Sequence, residues 1–225
     1  GDFGPDGDAD IIKCGSYTNS GSAWSVDLGF EPQWLLRKLT DGTGSWQLTD
    51  NMRGLLADNG SGTAYARLLK AESSNAENNA AGINITSTGI EGTGSGDTGT
   101  YIYIAIRRGT KVPESGTEVF VPAVQGVSGA NPTYPTGIVT DFSITTSLGV
   151  SDKKIMTRLL GATELVASDS SQEGSYTNAV WDYMNGWGNE TNQTNKYSWA
   201  WKRAPKYFDV VAYTGNQTAG RTVTH

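Results

Sequence analysis

The sequence predicts an all-β fold, and three observations carry that prediction. Apolar and polar residues alternate with period two, as in Trp24, Val26 and Leu28, the pattern of a strand with one buried face. Glycine is abundant, 29 of 225 residues, and it gathers with Ser, Thr and Asn between such stretches, where tight turns need it. Tyr101-Ile-Tyr-Ile-Ala-Ile106 is aromatic and aliphatic without a break, as a central strand with both faces in use would be.

The elements follow in order. Residues 1–10 read as a Gly/Asp/Pro linker. Ile11–Tyr17 is the first strand, and Trp24–Leu28 the second. Trp34–Leu39 is the third, and Thr40-Asp-Gly-Thr-Gly44 turns the chain into Trp46–Asp50. Ala, Leu, Lys and Glu concentrate over Ala64–Glu77, which predicts a weakly helical or irregular patch. Ile83–Ile85 and Gly89–Glu91 are short strands, and Gly92–Gly99 is a flexible loop before Tyr101–Ile106. Residues 109–137 hold Pro113, Pro122, Pro132 and Pro135, which predicts an excursion of edge strand and loop. Strands follow at Asp141–Thr145, Lys154–Leu160, Leu165–Ser168 and Tyr197–Trp201, the last with Trp199 and Trp201 on one face and expected in the core.

Two internal similarities bear on the domain plan. Ser16-Tyr-Thr-Asn-Ser-Gly21 recurs as Ala212-Tyr-Thr-Gly-Asn-Gln217, with strand-like surroundings in both places. This predicts one sandwich module over residues 11–206 and the first hairpin of a following module over 207–225. A fainter similarity relates Asn51–Leu56 to Met156–Gly161, and Tyr101–Arg108 to Tyr197–Arg203. These are either equivalent halves or merely similar β-arches.

Composition closes off several functions. The net charge of −6 and the scattered basic residues leave no basic face for nucleic acid. A single cysteine, Cys14, excludes an internal disulfide, and its place in a strand predicts a small buried hydrophobe. No apolar run approaches the ~20 residues of a spanning helix, so no membrane insertion is expected.

The ordered motifs resemble modules of tail-fibre and other appendage proteins of marine bacteriophages, often found in tandem. They are Tyr17-Thr-Asn19 with Leu28-Gly-Phe-Glu-Pro32, Trp46 running into Asp50-Asn-Met-Arg-Gly54, Tyr101–Arg107, and Lys202-Arg-Ala-Pro205 leading into Phe208–Gly215. Together they span most of residues 11–225, and the Pro-rich 113–135 segment departs from the pattern. The resemblance implies a jelly-roll, concanavalin-type and lectin-like sandwich of two antiparallel sheets. It also implies a virion or extracellular location, a structural or adhesive role, and other virion proteins and copies of itself as partners. Fibres commonly form trimers, although no heptad repeat supports that number here. The resemblance carries no catalytic residues.

The chemistry agrees with that reading. The only histidine is His225, so His-based catalysis and His-ligated metal have no candidate within the module. No strand carries alternating acids of the glycosidase kind. Asp6, Asp8 and Asp10 alternate without the full EF-hand ligand pattern. No enzyme activity, cofactor or metal is therefore expected. Asp50 and Arg53 read as a structural pair in a turn. The best binding candidates are Trp181, Asp182, Tyr183, Asn185 and Trp187, where aromatic faces and polar groups of the kind that hold sugars stand together. The rival reading puts Trp181 and Trp187 in the core. The expected function is a structural and adhesive module of a phage tail fibre or other virion appendage, contacting host surface glycan. The alternatives are a carbohydrate-binding adhesin of a cell-surface protein and, from another class, a glycan depolymerase.

Overall fold

The structure is a computed structural model that describes residues 10–58, 66–80, 82–126, 129–149, 153–166, 173–175, 178–189, 195–213, 219–220 and 222–223. The chain forms two units, residues 1–110 with 211–225 and residues 111–210, where the sequence predicts a single sandwich over residues 11–206. The described residues contain strands and two short 3-10 turns, and every strand pair is antiparallel.

In unit 1 the strands are β1 (Ile12–Asn19), β2 (Trp24–Asp27), β3 (Pro32–Leu39), β4 (Gln47–Asp50), β5 (Ala66–Lys70), β6 (Asn78–Ala80), β7 (Asn84–Ile85), β8 (Gly89–Gly92) and β9 (Gly99–Arg107). A six-stranded sheet has the order β1-β9-β3-β4-β5-β6, and a three-stranded sheet has the order β2-β8-β7. The central position expected of Tyr101–Ile106 holds, because β9 pairs on both sides. Tyr101, Tyr103 and Ala105 face inward while Ile102 and Ile104 stay exposed. Leu28, Leu35, Leu68, Ile83, Ile85 and Ile90 complete the interior between the two layers. Cys14 lies on the same outer face as its cross-strand neighbour Ile104 and is exposed, contrary to the expectation of burial.

In unit 2 the strands are β10 (Phe120–Val124), β11 (Tyr134–Pro135), β12 (Phe142–Ser147), β13 (Lys153–Thr157), β14 (Thr163–Val166), β15 (Glu173–Ser175), β16 (Gly186–Trp187) and β17 (Lys196–Trp201). The six-stranded sheet has the order β10-β17-β12-β13-β14-β15, covered by the pair β11-β16. Pro122 sits in the edge strand β10, where its missing N–H costs no ladder bond. Trp199 and Trp201 share a face, but it is the outer one. Trp199 remains exposed, and Trp201 packs with Phe120, Phe142 and Phe208.

The two units are one fold in the same register, which resolves the fainter similarity in favour of equivalent halves. Ile12 pairs with Ile106 as Phe120 pairs with Trp201, and Trp34 pairs with Asp50 as Phe142 pairs with Thr157. Val26 pairs with Ile90 as Tyr134 pairs with Trp187. The connecting hydrogen bonds repeat as well. Asn51 N–H donates to Gln33 and Arg158 N–H to Asp141, while Arg107 N–H donates to Ile11 and Lys202 N–H to Val119. After the second strand of each unit comes a left-handed glycine, Gly29 with φ 74° and Gly137 with φ 73°. Arg158 is thus the counterpart of Asn51 rather than of Arg53, so the alignment suggested by side chains is two residues out of step at that turn.

One pair of glycines shows why the register is kept. A Cβ on Gly89 would stand 2.0 Å from the Val26 carbonyl oxygen, and one on Gly186 would stand 2.3 Å from that of Tyr134. The two small sheets therefore require glycine at the same place. Gly89→Ala and Gly186→Ala are each expected to cost about 1–3 kcal/mol, read as a lower denaturation midpoint. Gly109→Ala, with open space around it, is expected to be neutral.

The weakly helical patch does not form. Its described residues give β5 followed by a turn, because pairing with β4 and β6 overrides local helix propensity. Residues 1–9 of the expected linker lie outside the described residues. Of the hairpin expected over residues 207–225, the described residues show one bridge, between Ala204 and Phe208, and no strand.

Candidate functional site: a carboxylate-lined cleft in unit 1

The small sheet of unit 1 borders a cleft of about 360 Å³. Strand β8 is central in that sheet, and its Glu91 lies opposite Ser25 on β2 and Asn84 on β7. The strands β7 and β8 are joined by Thr86-Ser-Thr88, closed by the Thr86 N–H donating to the Gly89 carbonyl at 2.9 Å. Three hydroxyls therefore stand together at one end of the sheet. Asp27, Asp58 and Glu91 bring carboxylates to the cleft, Ile85 and Ile90 border it from the core with their side chains buried, and Tyr213 stands at its rim, 63% exposed. A second recess of about 530 Å³ shares Ser25, Asp58 and Glu91 and reaches Trp24 and Asn84. Trp24 is held by stacking on Tyr17, with ring centroids 4.2 Å apart.

The electrostatics single out Glu91. Burial raises its pKa above the ordinary glutamate value, and the Asp58 charge adds to the rise. Between the ordinary and the raised pKa the folded chain holds more protons than the unfolded one, so stability falls as pH rises through that window. Glu91→Gln removes this penalty. The variant is expected to melt above wild type at roughly pH 7 and to lose that advantage below about pH 4. Thermal scans at both pH values check it.

No group of three or more Cys, His, Asp or Glu side chains is placed to hold a metal among the described residues. The arrangement suits an uncharged, hydroxyl-bearing ligand. Carboxylates accept its O–H groups, Ser and Thr hydroxyls donate or accept, and the Tyr213 ring takes its C–H faces.

The residues singled out in the sequence lie in the equivalent place of unit 2, where the structure does something else. Trp181 and Trp187 stack at 4.9 Å, and Trp187 stacks on Tyr134 at 4.8 Å. Trp187 donates from Nε1 to the Ser198 hydroxyl at 3.0 Å, and Trp181 donates from Nε1 to the Gly161 carbonyl at 2.8 Å. With 0% and 6% exposure these two rings offer no face to a sugar. They are core, and the rival reading holds for both. Asp182 and Asn185 are exposed and Tyr183 is half-buried, and the Asn185 carbonyl ties the loop to the end of β11 by accepting from the Thr136 and Gly137 N–H groups. The structure thus joins the two tryptophans but does not assemble the five residues into a platform. Asp50 and Arg53 form the structural pair expected, with Arg53 Nε donating to Asp50 Oδ2 at 2.9 Å.

Sequence reasoning passed over Glu91, Asp58 and Asp27. Their neighbours come from separate strands, so no local spacing marks them. The available signal was the internal repeat, which lays the Trp187 end of that loop over Ile90.

Residues 11–108 match the model of a family described as a domain of unknown function (DUF7483). The match begins one residue before β1 and ends one residue after β9, so it spans the six-stranded sheet of unit 1. No curated protein and no solved structure matches the chain.

Proposed function

We propose that this chain is a structural and adhesive module of a virion appendage of the tail-fibre kind, working outside the cell against host surface glycan. The observation that supports it is the duplication in register. A fold used twice in one chain, with its opening motif sounding again at residues 212–217, is how extended appendages are assembled from self-contained units. Two further features agree. The chain is acidic and lacks an internal histidine, so it is suited neither to nucleic acid nor to His-based chemistry. The concanavalin-type jelly roll suggested by the sequence motifs is a lectin-like architecture, and two-layer antiparallel units accord with it. Copies of the same chain and other virion proteins are the partners this reading implies.

The test is localisation. An antibody raised against the purified chain is expected to label the appendages of virions by immunogold electron microscopy. Labelling of the host cell envelope instead would favour a cell-surface adhesin. Release of reducing sugar from host envelope polysaccharide by the purified chain would make it a depolymerase.

A further inference from the structure

We infer that the unit 1 cleft is a binding site for a non-acidic sugar residue of a surface glycan, gripped through its hydroxyls by Glu91 and Asp58. The inference rests on the adhesive reading and gives it a place in the molecule.

Four observations carry it. The first is size: about 360 Å³ lies within the roughly 300–1,000 Å³ of small-molecule sites. The second is the lining. Hydroxyls of Ser25 and of the Thr86–Thr88 turn meet carboxylates, and the exposed Tyr213 ring at the rim supplies the apolar face. A pyranose presents the same two characters, a hydroxyl periphery and apolar C–H faces. Bonds from its O–H groups to a carboxylate are charge-assisted and stronger than neutral ones.

The third observation is charge. Asp27, Asp58 and Glu91 share one cleft, and a uronic acid or sialic acid would bring a like charge against them. That selects a sugar without a carboxylate. A bound cation is the other use for such acids, but they do not stand as a ligand group.

The fourth is the comparison between the two copies. Val26 and Ile90 in unit 1 are replaced at the paired positions by Tyr134 and Trp187 in unit 2. Those rings stack with Trp181 into a filled core. One copy has spent this part of the fold on packing. The other keeps smaller side chains there and a cleft beside them. Duplication allows one unit to bear recognition while the other bears load.

The test uses the full chain on an array printed with neutral hexose and N-acetylhexosamine oligosaccharides, with sialylated and uronic-acid oligosaccharides as a second set. Wild type is expected to bind members of the first set and none of the second. The double variant Glu91→Gln/Asp58→Asn is expected to lose at least tenfold in affinity while its melting temperature stays at or above wild type. Asp182→Asn, at the corresponding loop of unit 2, is expected to bind as wild type does. Undiminished binding by the double variant, preference for the acidic set, or no binding by wild type to any printed sugar would overturn the inference. Immunogold labelling keeps the two readings apart. Labelled appendages with no sugar bound would sink the cleft and leave the appendage reading standing. Sugar bound through Glu91 by a chain absent from virions would do the reverse.

Discussion

Trp187→Ala is expected to destabilise unit 2 by about 3–5 kcal/mol. Trp187 is fully buried, stacked between Tyr134 and Trp181, and its indole N–H is satisfied by the Ser198 hydroxyl. Truncation leaves a cavity among rings that cannot close over it, and it leaves Ser198 without that donor in the interior. Met184, three residues away and 70% exposed, supplies the control. Met184→Ala is expected to change stability by no more than about 0.5 kcal/mol. Urea unfolding followed by circular dichroism measures both. Intact stability in Trp187→Ala together with lost glycan binding would return this loop to the role its composition suggests.

Arg158→Met is expected to cost about 3–5 kcal/mol, because it strips the partner from a buried carboxylate. Arg158 is 1% exposed. Its Nε donates to Asp141 Oδ1 at 3.1 Å, one terminal nitrogen donates to the Thr140 carbonyl at 2.8 Å, and the other donates to the Trp181 carbonyl. Asp141 in turn accepts the Arg203 N–H through Oδ2 at 2.8 Å. The pair thus ties the ends of β12, β13 and β17 to the loop that carries Trp181. Burial pulls the Arg158 pKa below the ordinary arginine value, and Asp141 opposes the fall. The Asp50–Arg53 pair of unit 1 is the contrast. Its arginine side chain keeps 32% exposure, so water already screens the charges. Arg53→Met is expected to cost about 1 kcal/mol or less. Equal losses in the two variants, measured by the same urea titration, would contradict this division.

These two pairs also show how far the sequence could be read. Strands β9 and β17 were legible, because aromatic and aliphatic residues run through both with hardly a break. The base pairs at their ends, Arg107-Arg108 and Lys202-Arg203, were legible as a repeat. The equivalence of Asn51 with Arg158 and of Gln33 with Asp141 was not. What the two copies share there is a backbone N–H meeting a carbonyl, and backbone hydrogen bonds leave no mark on side-chain identity. Strand β5 was misread because local helix propensity is a weak prior against pairing on both sides. Cys14 and Trp199 were misplaced for a related reason. Period two says which residues share a face, but not which face is covered.

The candidate site was half legible. Aromatic and amide content pointed to Trp181–Trp187, which occupies in unit 2 the place that β8 and its turn occupy in unit 1. Large aromatics serve cores and sugar platforms alike, and composition does not distinguish them. The cleft of unit 1 carries no such concentration. Its lining comes together only after Ser25, Asn84 and Glu91 have been aligned across three strands.

Residue-resolved amide hydrogen exchange on the full chain tests most directly whether unit 2 repeats unit 1 strand for strand, on which the appendage reading and the contrast between the copies both depend. Slow exchange is predicted at Leu28, Asn51 and Arg107, which donate to Thr88, Gln33 and Ile11. The same protection is predicted at their counterparts Thr136, Arg158 and Lys202, which donate to Asn185, Asp141 and Val119. Protection of the first three with fast exchange at two or more of the second would contradict it.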